Sequence, residues 1–128
     1  MRISEQGMKA LVVEKLSTMR SILRRMLSMR GFEVAEAENA PQALDVLRRM
    51  GTADLVLVNW IPSEIDNLDF ISKLRRQATH KTTVIMLATS EPGMRELHAV
   101  FIAGADDYMM MPFTSLQMDE RLARAGLR

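Results

Sequence analysis

The side chains best placed to do chemistry fall at four short stretches: Glu14-Lys15, Asn59 to Ile61, Ala88 to Ser90, and Met111 to Phe113. An amide nitrogen is not nucleophilic and an amide oxygen carries no full charge, so Asn59 is not a covalent acceptor as a carboxylate would be. Glu14 and Lys15 sum to zero charge beside the neutral Asn59 and Met111, which leaves little to attract a hard cation such as Mg²⁺. His80 and His98 are isolated and there is no cysteine, so His/Cys metal centres at ligand spacing are excluded. Both imidazoles are expected at the surface, and the Asp106-Asp107 pair is expected to be solvated. No glycine-rich phosphate loop is present.

The elements that must position these groups are legible in the apolar pattern. Five β-rich runs, Met8–Val13, Phe32–Ala37, Leu55–Asn59, Thr83–Ala88 and Tyr108–Met111, alternate with five helical patterns. Continuous apolar runs such as Leu55-Val56-Leu57-Val58 suit strands covered on both faces. The first helix runs over 17–30, with Ser17 or Thr18 as N-cap and Gly31 beyond its end. Asn39 caps a second helix with Pro41 in its first turn. A third spans 67–77, a fourth 92–103 ending at Gly104, and a fifth is capped by Thr114. Strict β-α alternation predicts an α/β doubly wound parallel sheet, in which chemistry sits at the carboxyl ends of the strands.

The 128 residues carry a net charge of +1, which gives no strong pull toward nucleic acid or a membrane surface. No stretch approaches the roughly 20 apolar residues that span a bilayer, and the N-terminal run over 10–13 is too short for a signal peptide. A cytoplasmic setting is expected. Most of the 12 methionines fall at apolar-periodic positions and are read as core.

These segments resemble the response-regulator receiver family, particularly stand-alone CheY-type receivers. LVVEKLSTMRSILRRML is similar to the family's opening, and DLVLVNWIPSEIDNLDFI to its phosphoacceptor strand and loop. VIMLATSE and AGADDYMMMPFTSLQMDERL resemble its last two strands and final helix. The resemblance implies a single receiver-like domain over 1–128 with the flavodoxin-like (βα)5 fold, strand order 2-1-3-4-5. A working receiver holds Mg²⁺ on paired acids, phosphorylates an Asp ending the third strand, and uses a Ser or Thr ending the fourth and a Lys ending the fifth. By position these become Glu14-Lys15, Asn59, Ala88 and Met111. The loop proline, Pro62, comes one residue early, and Asn67 stands for the usual glycine as a residue tolerant of a left-handed backbone. Without the acceptor carboxylate and the lysine, phosphoryl transfer lacks its nucleophile and its charge compensation.

The expectation is therefore a degenerate pocket with no catalytic residue and no Mg²⁺. The Lys15 ammonium would fill the metal position against Glu14, Asn59, Glu64 or Asp66. Tyr108 aligns with the family's aromatic switch residue; with Ala88 offering no hydroxyl, it should be locked inward. The Met111–Pro112 bond is expected to be cis. The family's output face would draw on Arg95, His98, Ala99, Ile102, Tyr108, Met110, Phe113, Gln117 and Arg121, a composition suited to protein contact. The reading is a non-enzymatic, phosphorylation-independent receiver of two-component or chemotaxis-type signalling. It would be a monomer or weak dimer whose partner is a histidine kinase, a motor or another signalling protein. A rival is a ligand-binding pseudo-receiver taking a cyclic dinucleotide on an arginine-bearing face, since arginine outnumbers lysine thirteen to four. Residual self-phosphorylation at Glu64 or Asp66 is a third.

Overall fold

The computed structural model describes residues 7–59, 65–90 and 94–127, with backbone only at 65–66 and 94–96. Five strands, β1 (Lys9–Val13), β2 (Glu33–Ala37), β3 (Leu55–Asn59), β4 (Val84–Thr89) and β5 (Asp107–Met110), form one parallel sheet in the order β2-β1-β3-β4-β5. Five helices alternate with them: α1 (Ser17–Ser28), α2 (Ala40–Met50), α3 (Ile65–Arg76), α4 (Met94–Ala103) and α5 (Ser115–Arg124). The flavodoxin-like order expected above is the one observed.

Alternation along each strand sends neighbouring side chains to opposite faces. Leu11, Val13, Val56, Val58, Ile85 and Leu87 pack with residues of α2, α3 and α4, among them Leu47, Phe70 and Leu74. Ala10, Val12, Leu55, Leu57, Met86 and Met109 pack with Leu23 and Leu27 of α1 and with Met118 and Leu122 of α5. Both faces are covered, which is why the strands are continuously apolar. Met86, Met109 and Met118 are core as expected, whereas Met29 and Met110 are exposed.

The helix ends mix expected and unexpected chemistry. Asn39 accepts from the Gln42 N–H at 2.9 Å, and Thr114 forms a capping box with Gln117. The first helix corrects the expectation: its N-cap is Leu16, whose side chain caps nothing, and Ser17 is already helical. The third helix starts at Ile65, so Asn67 is a helical residue in an ordinary right-handed conformation rather than a turn residue. The Met111–Pro112 bond is cis.

Arg75 organises the edge of the sheet away from the carboxyl ends of the strands. Its guanidinium donates to the carbonyls of His80, Lys81 and Thr83 at 3.1, 3.0 and 2.9 Å, and to that of Gly104 at 2.8 Å. It also pairs with Asp106 at 2.7 Å, and Asp106 accepts the Ile85 N–H at 2.8 Å. Gly104 has φ +130°, and a Cβ there would lie 2.8 Å from Arg75 Cβ, so the close approach requires glycine. Asp107 is held by Arg124 at 2.8 Å. The acid pair is thus committed to arginines rather than free in solvent.

His80, expected at the surface, is only 3 % exposed. The Ala78–His80 3₁₀ turn folds it under the Arg75 network, a tertiary effect invisible in a lone loop histidine. Burial, aided by the Arg75 guanidinium, pushes its pKa below the ordinary 6.5. The folded state therefore favours neutral His80, and the unfolded chain binds the extra proton first as pH falls. Stability is fully present above 6.5 and declines as pH drops from there toward the folded value. Urea unfolding of the native chain and of His80→Gln should diverge in slope between about pH 7 and pH 5. The native chain should lose stability faster; parallel profiles would refute a neutral buried imidazole.

Candidate functional site

The carboxyl ends of β1, β3 and β4 converge in register, with Val13 beside Val58 and Asn59 beside Ala88. Glu14 follows β1 directly and is 2 % exposed. A buried carboxylate needs donors, and Glu14 has two. Its Oε1 accepts from Asn59 Nδ2 at 2.5 Å and its Oε2 from the Leu16 N–H at 2.8 Å. Glu14 thereby ties down the N-cap residue of α1, whose own side chain caps nothing.

Asn59 is fixed from both ends. Its side-chain amide donates to Glu14, and its backbone carbonyl accepts from Asn67 Nδ2 at 3.2 Å. Asn67 is buried on α3, so an amide ladder links β1, β3 and α3. Sequence reasoning read Asn67 as a turn residue and missed this role. Arg20 on α1 closes the remaining side. It donates to the Glu14 carbonyl at 2.8 Å and to Glu36 at 3.0 Å, and Arg24 reaches the other Glu36 oxygen at 3.0 Å.

Two expectations are corrected here. Lys15 is exposed and pairs with neither Glu14 nor Asn59; among the described residues its ammonium makes no ion pair. Both Glu14 oxygens instead accept from neutral donors, the Asn59 amide and the Leu16 N–H. Trp60, Glu64 and the Asp66 side chain lie outside the described residues. The second correction concerns the end of β4. The strand runs one residue beyond Ala88, and its last residue is Thr89, 0 % exposed. Ala88 is core on the α1 and α5 side with Met86 and Met109. A hydroxyl therefore does end the fourth strand, and the carry-over onto Ala88 was one residue short.

Met111 begins the turn after β5, half-buried against the α1 and α5 core, its N–H on the Thr89 carbonyl at 2.7 Å. Tyr108 packs partly into the opposite core, edge-on to Phe101 at 6.3 Å between ring centres. With Thr89 buried at the end of β4, a missing hydroxyl does not lock Tyr108.

The face of α4, β5 and α5 is only partly as expected. His98 and Met110 are exposed. Phe113 packs against the core, Gln117 is engaged in the capping box, and Arg121 donates to the Tyr108 carbonyl at 2.9 Å. The Arg95 side chain lies outside the described residues. Ile102 at 73 %, Leu116 at 67 % and Met110 at 49 % exposure are the large apolar groups the face presents, with Phe101 beside them. Phe101 and Leu116 were missed because their apolar character reads as core in a sequence.

The described residues do not fit a hard divalent cation. Such an ion takes several oxygen ligands, usually from more than one carboxylate. Here the one acid has both oxygens engaged and faces an amide NH₂. Among the described residues no group of three or more His, Cys, Asp or Glu converges. No helix among them is long and apolar enough to cross a membrane.

Comparison with known proteins agrees with the topology. The sequence family described as the response regulator receiver domain matches residues 10–123. The chain is 34 % identical over 116 residues to chemotaxis protein CheY1 of Helicobacter pylori, covering 90 % of this chain and 94 % of that protein. It is 32 % identical to a CheY homolog of Campylobacter jejuni, covering 90 % and 89 %. Among solved structures, the chemotaxis response regulator CheY4 of Vibrio cholerae superposes with a TM-score of 0.81 at 22 % identity, covering 92 % and 98 %. A response regulator from Thermotoga maritima superposes at 0.80 with 25 % identity, covering 92 % and 96 %.

Proposed function

Because this chain belongs to the response-regulator receiver family, we propose that it is a receiver that signals by binding a protein partner, without accepting a phosphoryl group. The observation that carries this is Asn59. At the end of β3 an amide stands where transfer needs a carboxylate, and it is turned into a hydrogen bond with Glu14. Met111 supplies no positive charge to a transferring phosphoryl group, and Lys15 is exposed and pairs with neither Glu14 nor Asn59. Thr89 keeps one part of the family pattern, but a hydroxyl that contacts a phosphoryl group cannot replace its acceptor.

On this reading residues 1–128 form one receiver-like, non-enzymatic domain acting in the cytoplasm. Its partner is a signalling protein such as a histidine kinase or a motor component. Ile102, Met110 and Leu116 supply the apolar contacts, with His98 at the rim. Such a chain would act as a fixed-state receiver or compete with an active one.

The test is covalent. Incubation with acetyl phosphate and millimolar Mg²⁺ should leave the intact mass unchanged. A phosphoryl adduct that hydroxylamine removes would be an acyl phosphate on another acid, Glu64 or Asp66, and would overturn the reading.

A further inference from the structure

At the edge of the sheet opposite Asn59, α2 and α3 end side by side and leave a groove of about 590 Å³. That is within the usual range for small-molecule sites, roughly 300–1,000 Å³. Leu44 and Leu47 supply an apolar wall, Arg48 stands on one rim, Lys73 and Arg76 on the other, and His80 lies in the lining. No carboxylate lines it among the described residues.

Basic residues in the last turn of a helix are ordinary, because the carbonyl ends favour cations. Arg48 and Lys73 also hold exposed partners on their own helices, Asp45 at 2.8 Å and Asp69 at 3.2 Å. Exposed pairs of this kind are worth little and rearrange readily. What the helix ends do not explain is His80. Thr83 Oγ1 gives its hydrogen to the Ala53 carbonyl at 2.7 Å, so its 3.4 Å contact with His80 Nδ1 must use an oxygen lone pair. Nδ1 therefore carries the proton and Nε2 is a bare acceptor. Nε2 has no partner among the described residues, although His80 is 3 % exposed and is one of the residues that line the groove. A buried polar atom left without a partner is costly and is characteristically completed by a ligand or water.

We propose that this groove is a nucleotide site: phosphoryl oxygens on Arg48, Lys73 and Arg76, a sugar hydroxyl donating to His80 Nε2, and the flat base on Leu44 and Leu47. Arginine suits phosphate because its planar fork donates two parallel hydrogen bonds. The neutral imidazole favours a ligand that sets a sugar hydroxyl beside its phosphate, at a fixed distance from the cationic rim. The site is separate from the Glu14–Asn59 pocket and does not depend on the state of that pocket.

Titration with ADP, ribose 5-phosphate and inorganic pyrophosphate, followed by ¹⁵N NMR at Gly51, Thr79 and the His80 ring, tests it. ADP should saturate shifts at all three residues, with the other two probes weaker. Arg48→Glu with Arg76→Glu, both exposed and with folding checked by urea unfolding, should weaken ADP roughly tenfold or more. His80→Phe should weaken ADP about fivefold while leaving pyrophosphate unchanged. The absence of saturable ADP shifts there would overturn the proposal. So would shifts that persist in the charge-reversed variant, or pyrophosphate binding as tightly as ADP.

Discussion

Asn59→Asp should lower the unfolding free energy by about 2–3 kcal/mol at pH 7 in EDTA, although it changes a single atom. The Asn59 amide donates to Glu14, a carboxylate that is 2 % exposed. An aspartate offers only lone pairs in that direction. The substitution removes a hydrogen bond to a charged group and sets two carboxylates against each other out of bulk water. One of them must then hold a proton, and the pair titrates as a unit well above the ordinary acid range. The sign follows from linkage. The folded variant binds more protons than its unfolded chain below the raised value, so its deficit shrinks as pH falls toward about 4. Millimolar Mg²⁺ should also shrink the deficit, because two facing carboxylates are the start of a cation site. Urea unfolding across pH, with and without Mg²⁺, gives all three readings. A variant as stable as the native chain at pH 7 would mean that Glu14 and Asn59 do not share the bond described.

The second large effect is expected at Arg75, on the far side of the molecule. Arg75→Met keeps the apolar stem and removes the guanidinium, and should cost about 3–5 kcal/mol. Carbonyls of His80, Lys81, Thr83 and Gly104 lose their donor, and Asp106 keeps a negative charge beside the start of β4 without its partner. Natural domains hold about 5–15 kcal/mol in total, so this variant would sit near the threshold of folding. Gly104→Ala offers an independent check, since its Cβ would fall on Arg75 Cβ and Cγ. The two substitutions damage one arrangement, so their combined cost should fall clearly short of the sum. Additive losses would show that the close approach and the hydrogen-bond network are unrelated.

How far the sequence reached depended on whether the deciding interaction was local. The parallel sheet was legible because strands covered on both faces must be continuously apolar. The caps at Asn39 and Thr114 were legible because a cap and its N–H lie within three residues. The start of α1 was not legible. Ser17 and Thr18 fit the local rule, but the Leu16 N–H is taken by Glu14, which is held in place by Asn59 from another strand. The end of β4 failed for a related reason. The apolar run stops at Ala88, yet Thr89 continues the strand and is fully buried. His80 looked like a loop residue because nothing near it in sequence announces that Arg75 will gather three carbonyls around its turn. At the candidate site the residue types were legible and the contacts were not. The charges of Glu14 and Lys15 cancel on paper, whereas in space the acid is held by neutral donors and the lysine is exposed.

The divided carboxylate of Glu14 has a dynamic consequence. One oxygen holds the first turn of α1 and the other holds the end of β3, so the helix and the strand are levers on the same fulcrum. A partner that loosens the Leu16 turn releases one oxygen and weakens the grip on Asn59. A change that swings Asn59 away frays the helix. Information can cross between the outer surface of α1 and the heart of the sheet through one side chain, with no covalent event at either end. On the proposed reading of a receiver that takes no phosphoryl group, that mechanical route would connect the surface to the site.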